Sequence, residues 1–408
     1  MTTAVVDAYG IGQFLPAALS RYGVDCIHVR SEFPDLHLSY RPEDFEVEIQ
    51  HRGDLGETAA ALGAHGIDFV VAASESGVLL ADALAAALGT PGNGMARPRA
   101  RRDKYEMALA VRDAGLAAAR SFASSDAEQI MAWALNLGEW PVVLKPVASA
   151  GTDNVLYCNS AQDVREAHAR ILASTDRYGR RNEVVLGQEF LSGDEYFVNT
   201  VSRDGVHHVV EVWRYHLREI AGGRWIYDHE YPMPPADPVV GPLVEYTLAV
   251  LDALEIRNSA AHTEVMVTRN GPILVESGAR LGGSHLPEVV SRCLGTDQVE
   301  RLALAIARPE EITERRLAPY QLLTHLRYVS LISPGEGVVP TAERFAPVRQ
   351  LSSFLDVVFT LPEGKPIMRT VDLASSPGYV YLSSNHPQQV EEDYARLRHY
   401  ELNGLYDP

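Results

Sequence analysis

Cysteine is scarce. Cys26, Cys158 and Cys293 stand far apart and form no CxxC pair, which argues against a disulfide framework and against a zinc site of the usual spacing. No apolar run approaches the ~20 residues that a membrane span needs. The opening MTTAVVDAYG has neither the basic segment nor the long apolar stretch of a secretory signal, so a cytoplasmic location is the expectation. Positive charge is also in deficit: 36 Lys and Arg against 54 Asp and Glu leave a net charge of −18. A surface that acidic repels phosphate backbones and anionic lipid, so neither nucleic acid nor a membrane is expected as partner. Any phosphate site must be built locally, from a few lysines, backbone amides and metal. The Walker pattern GxxxxGK[ST] is missing, as are repeats, heptads, low-complexity tracts and a Ser/His/Asp or Cys/His nucleophile pattern.

Hydrophobic residues make up 46% of the chain and charged residues 22%, the balance of a soluble globular enzyme. At 408 residues the chain exceeds one ordinary core of ~100–200 residues, so two to four lobes are expected. Strand-like Thr3–Ala8, helical Gly12–Tyr22 and strand-like Asp25–Arg30 read as a βαβ unit. A second follows, with the apolar run Phe69–Ala73 and the Ala/Leu-rich helix Gly77–Leu88 ending at Gly89. This alternation predicts a doubly wound, Rossmann-like parallel sheet over residues 1–95, closed by the Pro/Gly break at Pro91–Pro98. Beyond it the chain reads as α+β. Helices are expected at Lys104–Ala114, Ala127–Leu137 and Val244–Leu254, and strands at Pro141–Lys145, Leu156–Asn159, Val184–Phe190, Tyr196–Ser202 and His207–Trp213. A hairpin is expected from His262–Thr268 and Ile273–Ser277, and a closing helix at Gln388–Leu402. The expected divisions are 1–95, 96–200, 201–310 and 311–408.

The strongest chemical signal is AHTEVMVTRNGPILVESGARLGG at 261–283. Glu264 and Glu276 stand on the two arms of the hairpin, and loop parity decides whether they meet. A three-residue loop, Arg269–Asn270–Gly271, pairs Thr268 with Pro272 and sets Glu264 across from Glu276. It leaves Val265, Val267, Ile273 and Val275 as one apolar face and puts Met266 and Leu274 beside the carboxylates. Facing carboxylates repel unless a cation sits between them or one is protonated. Two oxygen ligands on rigid strands suit Mg²⁺, with Mn²⁺ as a substitute. Arg280, among Gly278, Gly282 and Gly283, can fork onto a carboxylate or phosphate. A second constellation is Lys145 at a strand end followed by the small-residue loop Ser149–Asn154, which includes Gly151 and Thr152 and can fold over phosphates. Lys104, in RRDKYEM, is a further cation. The connection Glu189–Phe190–Leu191, then Gly193 and Glu195, can offer main-chain groups to a base and a carboxylate to a sugar.

In this order the pieces resemble the ATP-grasp superfamily of carboxylate–amine ligases over about residues 97–305. ESGARLGG and ASESGVLLADALAAALGTPGN (73–93) are most like the L-amino-acid ligases, which make dipeptides. The resemblance implies an ATP-grasp fold behind an N-terminal pre-ATP-grasp domain. It implies ATP on Lys104, Lys145, Ser149, Gly151, Thr152, Glu189, Phe190, Leu191, Glu195, Met266 and Leu274, and magnesium on Glu264 and Glu276. Substrate carboxylate and amine, amino acids by the same likeness, would meet Arg280, Gly282, Gly283, Ser284, His262 and Glu75, with Arg280 and Lys145 catalytic. The product would be an amide such as a dipeptide or γ-glutamyl dipeptide. A bicarbonate-dependent carboxylase and a non-catalytic nucleotide-binding module are the alternatives. One departure stands out: the superfamily pattern E-x-N has Gly278 in place of its asparagine, which leaves one or two metal ions open. Gly10–Ile11–Gly12 with Glu32 imitates a dinucleotide fingerprint, but Leu15 replaces its third glycine and a tight turn is the better reading. Trp213, Arg214, Tyr227, Asp228 and His285 are further side-chain-pocket candidates, and a homodimer is compatible with the superfamily.

Overall fold

The amino-terminal residues build an open four-stranded sheet in which strands Val47–Gln50, Asp25–Arg30, Thr2–Val6 and Phe69–Ala72 run parallel in that order. Ala4–Val6 and Phe69–Ala72 are continuous apolar runs buried throughout, the pattern of parallel strands covered on both faces. The structure, a computed structural model, describes residues 1–32, 39–149, 151, 153–176, 178–220 and 224–407. The chain folds into two compact units. The first comprises Met1–Val210, Pro238–Pro287 and Gln298–Pro319; the second comprises Glu211–Asp237, Glu288–Asp297 and Tyr320–Pro408.

Local chemistry explains the elements of the first unit. The helix Val78–Leu88 stops at Gly89, whose φ of 68° gives the left-handed cap a side chain would resist. Asp103, Asp126 and Ser160 cap the helices Lys104–Asp113, Ala127–Leu137 and Ala161–Leu172 through side-chain oxygens that accept from first-turn amides. The opening helix is shorter than its sequence suggests: a 3₁₀ segment Gly10–Phe14 precedes the helix Leu15–Ser20. A Cβ on Gly12 would come within 2.7 Å of Ala73 Cβ, so this glycine has a packing reason and the GxG pair is a tight turn.

Two antiparallel layers follow in the same unit. Strands Ser121–Ser124, Val185–Glu189, Val142–Pro146 and Leu156–Cys158 lie side by side, over a core that includes Ile130, Leu144, Val164 and Ile171. Strands Gly271–Gly278, Ala260–Thr268 and Gly193–Arg203 form the other. In the second unit the hairpin Val206–Ile220 (from Glu211 on) and Arg224–Pro232 pairs with His325–Ser330, which pairs in turn with Gly378–Ser384 and then Phe354–Phe359. The helix Pro387–Leu402 packs there, with Val329, Phe345, Leu382 and Leu397 in the core. Among the described residues, no helix is long and apolar enough to cross a membrane.

Candidate active site

Three adjacent strands share one polar face. Glu195 pairs with Met266, Phe197 with Glu264, and Asn199 with His262, while Glu264 lies opposite Glu276 on its other side. Because paired residues project to the same side of a sheet, these side chains converge. The opposite face carries Val198, Thr263, Val265 and Ser277, all buried.

The hairpin reaches this arrangement by a route the sequence did not suggest. Thr268 pairs with Gly271, Val267 with Pro272, Met266 with Ile273 and Val265 with Leu274, so the turn holds two residues, Arg269 and Asn270. A register shift at Glu264/Val265 then leaves Val275 as an extra residue and restores the facing glutamates. A β-bulge adds one residue to one strand and flips the parity beyond it. The three-residue loop is therefore corrected to a two-residue turn plus a bulge. In consequence Leu274 faces the same side as Val265, away from Met266, while Ile273 takes the place beside Met266. Thr268 Oγ1 anchors the turn, donating to the Gly271 carbonyl at 2.9 Å and accepting from the Asn270 amide at 3.1 Å.

Cations close over the glutamates. Lys104, in the first turn of its helix, reaches Glu276 Oε1 at 2.8 Å and the Ser149 carbonyl at 2.5 Å. Lys145, near the end of its strand, is buried. Burial, helped by the ammonium of Lys104, lowers its pKa to about 8 against the pull of Glu276, Glu264 and Glu195. Burial pushes the Glu264 carboxyl up, but the hydrogen bond from His262, then Arg280 and Lys104, hold it below its ordinary value. His262 Nε2 stands 3.4 Å from Glu264 Oε1 and Nδ1 stands 2.8 Å from Asn199 Oδ1.

Glu75 bridges two guanidiniums: Arg102 on Oε1, and Arg280 Nε on Oε2 at 2.7 Å. Burial alone would raise its pKa, but the two arginines win and hold the carboxyl at about 2. Each oxygen of Glu75 thus already accepts from one guanidinium of the protein. Gly282 is fixed by its amide, which donates to Gln298 Oε1 at 2.7 Å, while Gln298 Nε2 donates to the carbonyls of Thr200 and Ala261. His285 stacks on Phe197 at 5.5 Å between ring centroids. Gly283 and Ser284 continue that loop.

The loop after Lys145 is tied to itself, Ser149 Oγ donating to Asp153 Oδ2 at 2.7 Å and Asn154 Nδ2 to Asp153 Oδ1 at 2.9 Å. Gly151 turns there with a φ of 69°, and Thr152 lies outside the described residues. Glu189 gives its carboxylate to Arg120, with Nε at 2.6 Å, and its amide donates to the Arg120 carbonyl at 2.9 Å, so neither group is left for a base. Phe190 is exposed and meets the Tyr157 ring edge-on, and Leu191 beside it is half-buried. In the second unit, Trp213 is buried with its indole N–H on Glu211 at 2.9 Å. His216, Asp228 and His229 come within ligating distance of one another there. Asp228 already takes Arg218, Arg398 and the Tyr394 hydroxyl, so its charge is spent before a metal could use it. Arg214 and Tyr227 belong to the same unit, Tyr227 with its ring against Tyr215.

Residues 138–288 match the family described as the ATP-grasp domain. Over 99% of its length the chain is 32% identical to dapdiamide A synthase of Enterobacter agglomerans, covering 97% of that protein. This chain is an ATP-grasp ligase. The ligase is also 22% identical to the L-arginine-specific L-amino acid ligase of Bacillus subtilis over 73% of its own length and 70% of that protein. Its fold matches the crystal structure of an L-amino acid ligase from Bacillus licheniformis with a TM-score of 0.76 at 17% identity, covering 98% of this chain and 97% of that one. As a member of this family it forms a C–N bond at the expense of ATP. Arg102, Asn199, Phe197 and Gln298 were not singled out from the sequence. Arg102 sits beside Lys104 in RRDK, and Phe197 and Asn199 follow Glu195 at the two-residue spacing of a strand face, which are the signals that could have found them.

Proposed function

We propose that this ligase phosphorylates the carboxylate of one amino acid with MgATP, passes the acyl group to the amine of a second, and releases a dipeptide-like amide with ADP and phosphate. The facing pair Glu264 and Glu276 carries this reading. Two carboxylates aimed at one space require a cation, and the ammonium of Lys104 already stands against Glu276. An all-oxygen donor set on rigid strands fits Mg²⁺, which Glu264 and Glu276 would hold together with substrate phosphates and water. That ion would neutralise charge on the transferring phosphoryl group.

The chain's own residues do the rest. Lys104 and Lys145 receive the nucleotide phosphates, and exchanging Glu276 for phosphate keeps the Lys104 ammonium paired. The substrate carboxylate attacks the γ-phosphorus in line, a step that asks the protein mainly for positioning and charge. Amine attack on the acyl phosphate builds an oxyanion, which Arg280 stabilises through N–H groups not used by Glu75 and Leu281. The loop segment that carries Ser149, Asp153 and Asn154 would shield the activated acyl group from water. The likeness to an L-arginine-specific L-amino acid ligase, beside that to dapdiamide A synthase over nearly the whole chain, supports amino acids as the partners.

A phosphate-release screen of amino-acid pairs with MgATP, followed by mass identification of the product, tests the proposal. Release that needs two amino acids and yields their amide is expected. Release that needs bicarbonate and no amino acid would assign a carboxylase instead.

A further inference from the structure

Gly278 stands where the sequence pattern calls for a metal-binding asparagine, and the surrounding geometry accounts for the loss. A Cβ built on Gly278 would lie 2.7 Å from Glu75 Oε2 and 3.3 Å from both Cζ and Nε of Arg280. A side chain at 278 would therefore force the Glu75–Arg280 pair to shift from its present geometry.

Glu75 is itself held from behind. It begins the 3₁₀ turn Glu75–Gly77, just after the strand Phe69–Ala72. A Cβ on Gly77 would meet the Val6 carbonyl at 2.9 Å, so that turn is pressed onto the parallel sheet. The second oxygen of Glu75 is taken by Arg102, whose guanidinium also sits 5.1 Å from the centroid of the Tyr178 ring. On the other side, Arg280 spends Nε on Glu75 and one Nη1 hydrogen on the Leu281 carbonyl at 2.8 Å. A guanidinium has five N–H donors in a rigid plane. Fixing its Nε edge therefore fixes the direction of Nη2, which donates to no other described side chain. Arg280 lowers the pKa of Glu264, and Glu276 raises that of Arg280, so this edge lies in the field of the two proposed metal carboxylates.

We propose that Glu75 is a positioning residue for Arg280: it clamps the guanidinium so that its outer edge meets the oxyanion of the amine-attack step, and position 278 is glycine to make room for that clamp. This inference rests on the ligase reading and adds to it a role for a residue from the amino-terminal parallel sheet. It also means that the second metal carboxylate works without the asparagine, as a consequence of the clamp.

The test is a double-mutant cycle on amine-dependent ADP release, with nucleotide affinity measured separately by equilibrium binding. Glu75→Gln keeps the shape and one hydrogen bond but removes the charge. It should lower kcat by roughly 10–100-fold, the usual effect of losing a partner that orients an active group, with nucleotide Kd within about twofold. Arg280→Ala should lower kcat further, and the double variant should be no slower than Arg280→Ala alone, because a residue that acts through another has nothing left to position. Losses that multiply in the double variant would overturn the inference. Gly278→Ala provides a test that keeps both charged partners: its methyl intrudes on the clamp, and kcat should fall while KM for ATP holds. Full activity of Gly278→Ala would also overturn it. Absence of amine-dependent ADP release from the wild-type enzyme would instead refute the ligase reading on which it stands.

Discussion

Charge at the polar face is arranged so that no single side chain can be removed quietly. Glu276 accepts from Lys104 and lies opposite Glu264. Glu276→Gln should therefore abolish amine-dependent ADP release, and wild-type turnover in a coupled assay would remove the metal role of that carboxylate. Arg280→Ala should slow kcat by about 10²–10³-fold, the effect of deleting one oxyanion donor, while ATP affinity changes little; the reverse split between kcat and Kd would place Arg280 on the nucleotide. Lys145 makes a prediction about pH. Burial and the nearby Lys104 ammonium depress its pKa to about 8, and only the ammonium form attracts phosphate. The contribution to ATP binding is thus full below that pH and is lost as pH rises through it. kcat/KM for ATP should decline above about pH 8, and Lys145→Arg, which stays charged, should erase the decline. A flat alkaline profile in the wild type would show that Lys145 does not meet phosphate.

At the level of elements, the hairpin shows how far alternation along a strand can be read. The facing of Glu264 and Glu276 was legible because the apolar residues around them favour one parity. The route was not legible, since a two-residue turn plus a bulge at Val275 gives the same parity beyond the bulge as a three-residue loop. Only the segment between turn and bulge distinguishes them, and there Leu274 and Ile273 exchange faces. The strand Gly193–Arg203 depends on one close approach. A Cβ on Gly193 would fall 2.2 Å from the Val267 carbonyl oxygen, so the two backbones meet where the Glu195 strand begins. Gly193→Ala should cost about 1–3 kcal/mol, the range for overpacking, seen as a lower urea midpoint with weakened ATP binding. An unchanged midpoint would mean that the strand end relaxes freely. The helix Ala161–Leu172 and the strand Val47–Gln50 were missed because their residues are largely polar and the strand is short; neither stands out as an apolar run.

Over the whole chain, the parallel sheet and several strands of the antiparallel layers were legible from apolar runs bounded by Gly and Pro, whereas the pairing of those layers and strands such as Ser121–Ser124 and His325–Ser330 were not. The division into two units was not, because each is assembled from three separated segments and continuity along the chain says nothing of that threading. Arg102 and Gln298 escaped for the same reason: their roles come from partners distant in sequence, Glu75 and Thr200 among them. Within the second unit, burial opposes ionisation of Asp228, yet His229, Arg398, Tyr394 and Arg218 hold its carboxyl far below the usual range. Asp228→Ala would strand those cations and should cost about 3–5 kcal/mol, read as faster amide exchange in segments 211–220 and 325–330; unchanged exchange would mark the network as energetically neutral. In the proposed reaction the carboxylate of one substrate takes up the γ-phosphoryl group before the amine attacks. With that carboxylate labelled by ¹⁸O, the phosphate released during amide formation should carry one labelled oxygen, measured by mass spectrometry. Amide formation with unlabelled phosphate would contradict the account.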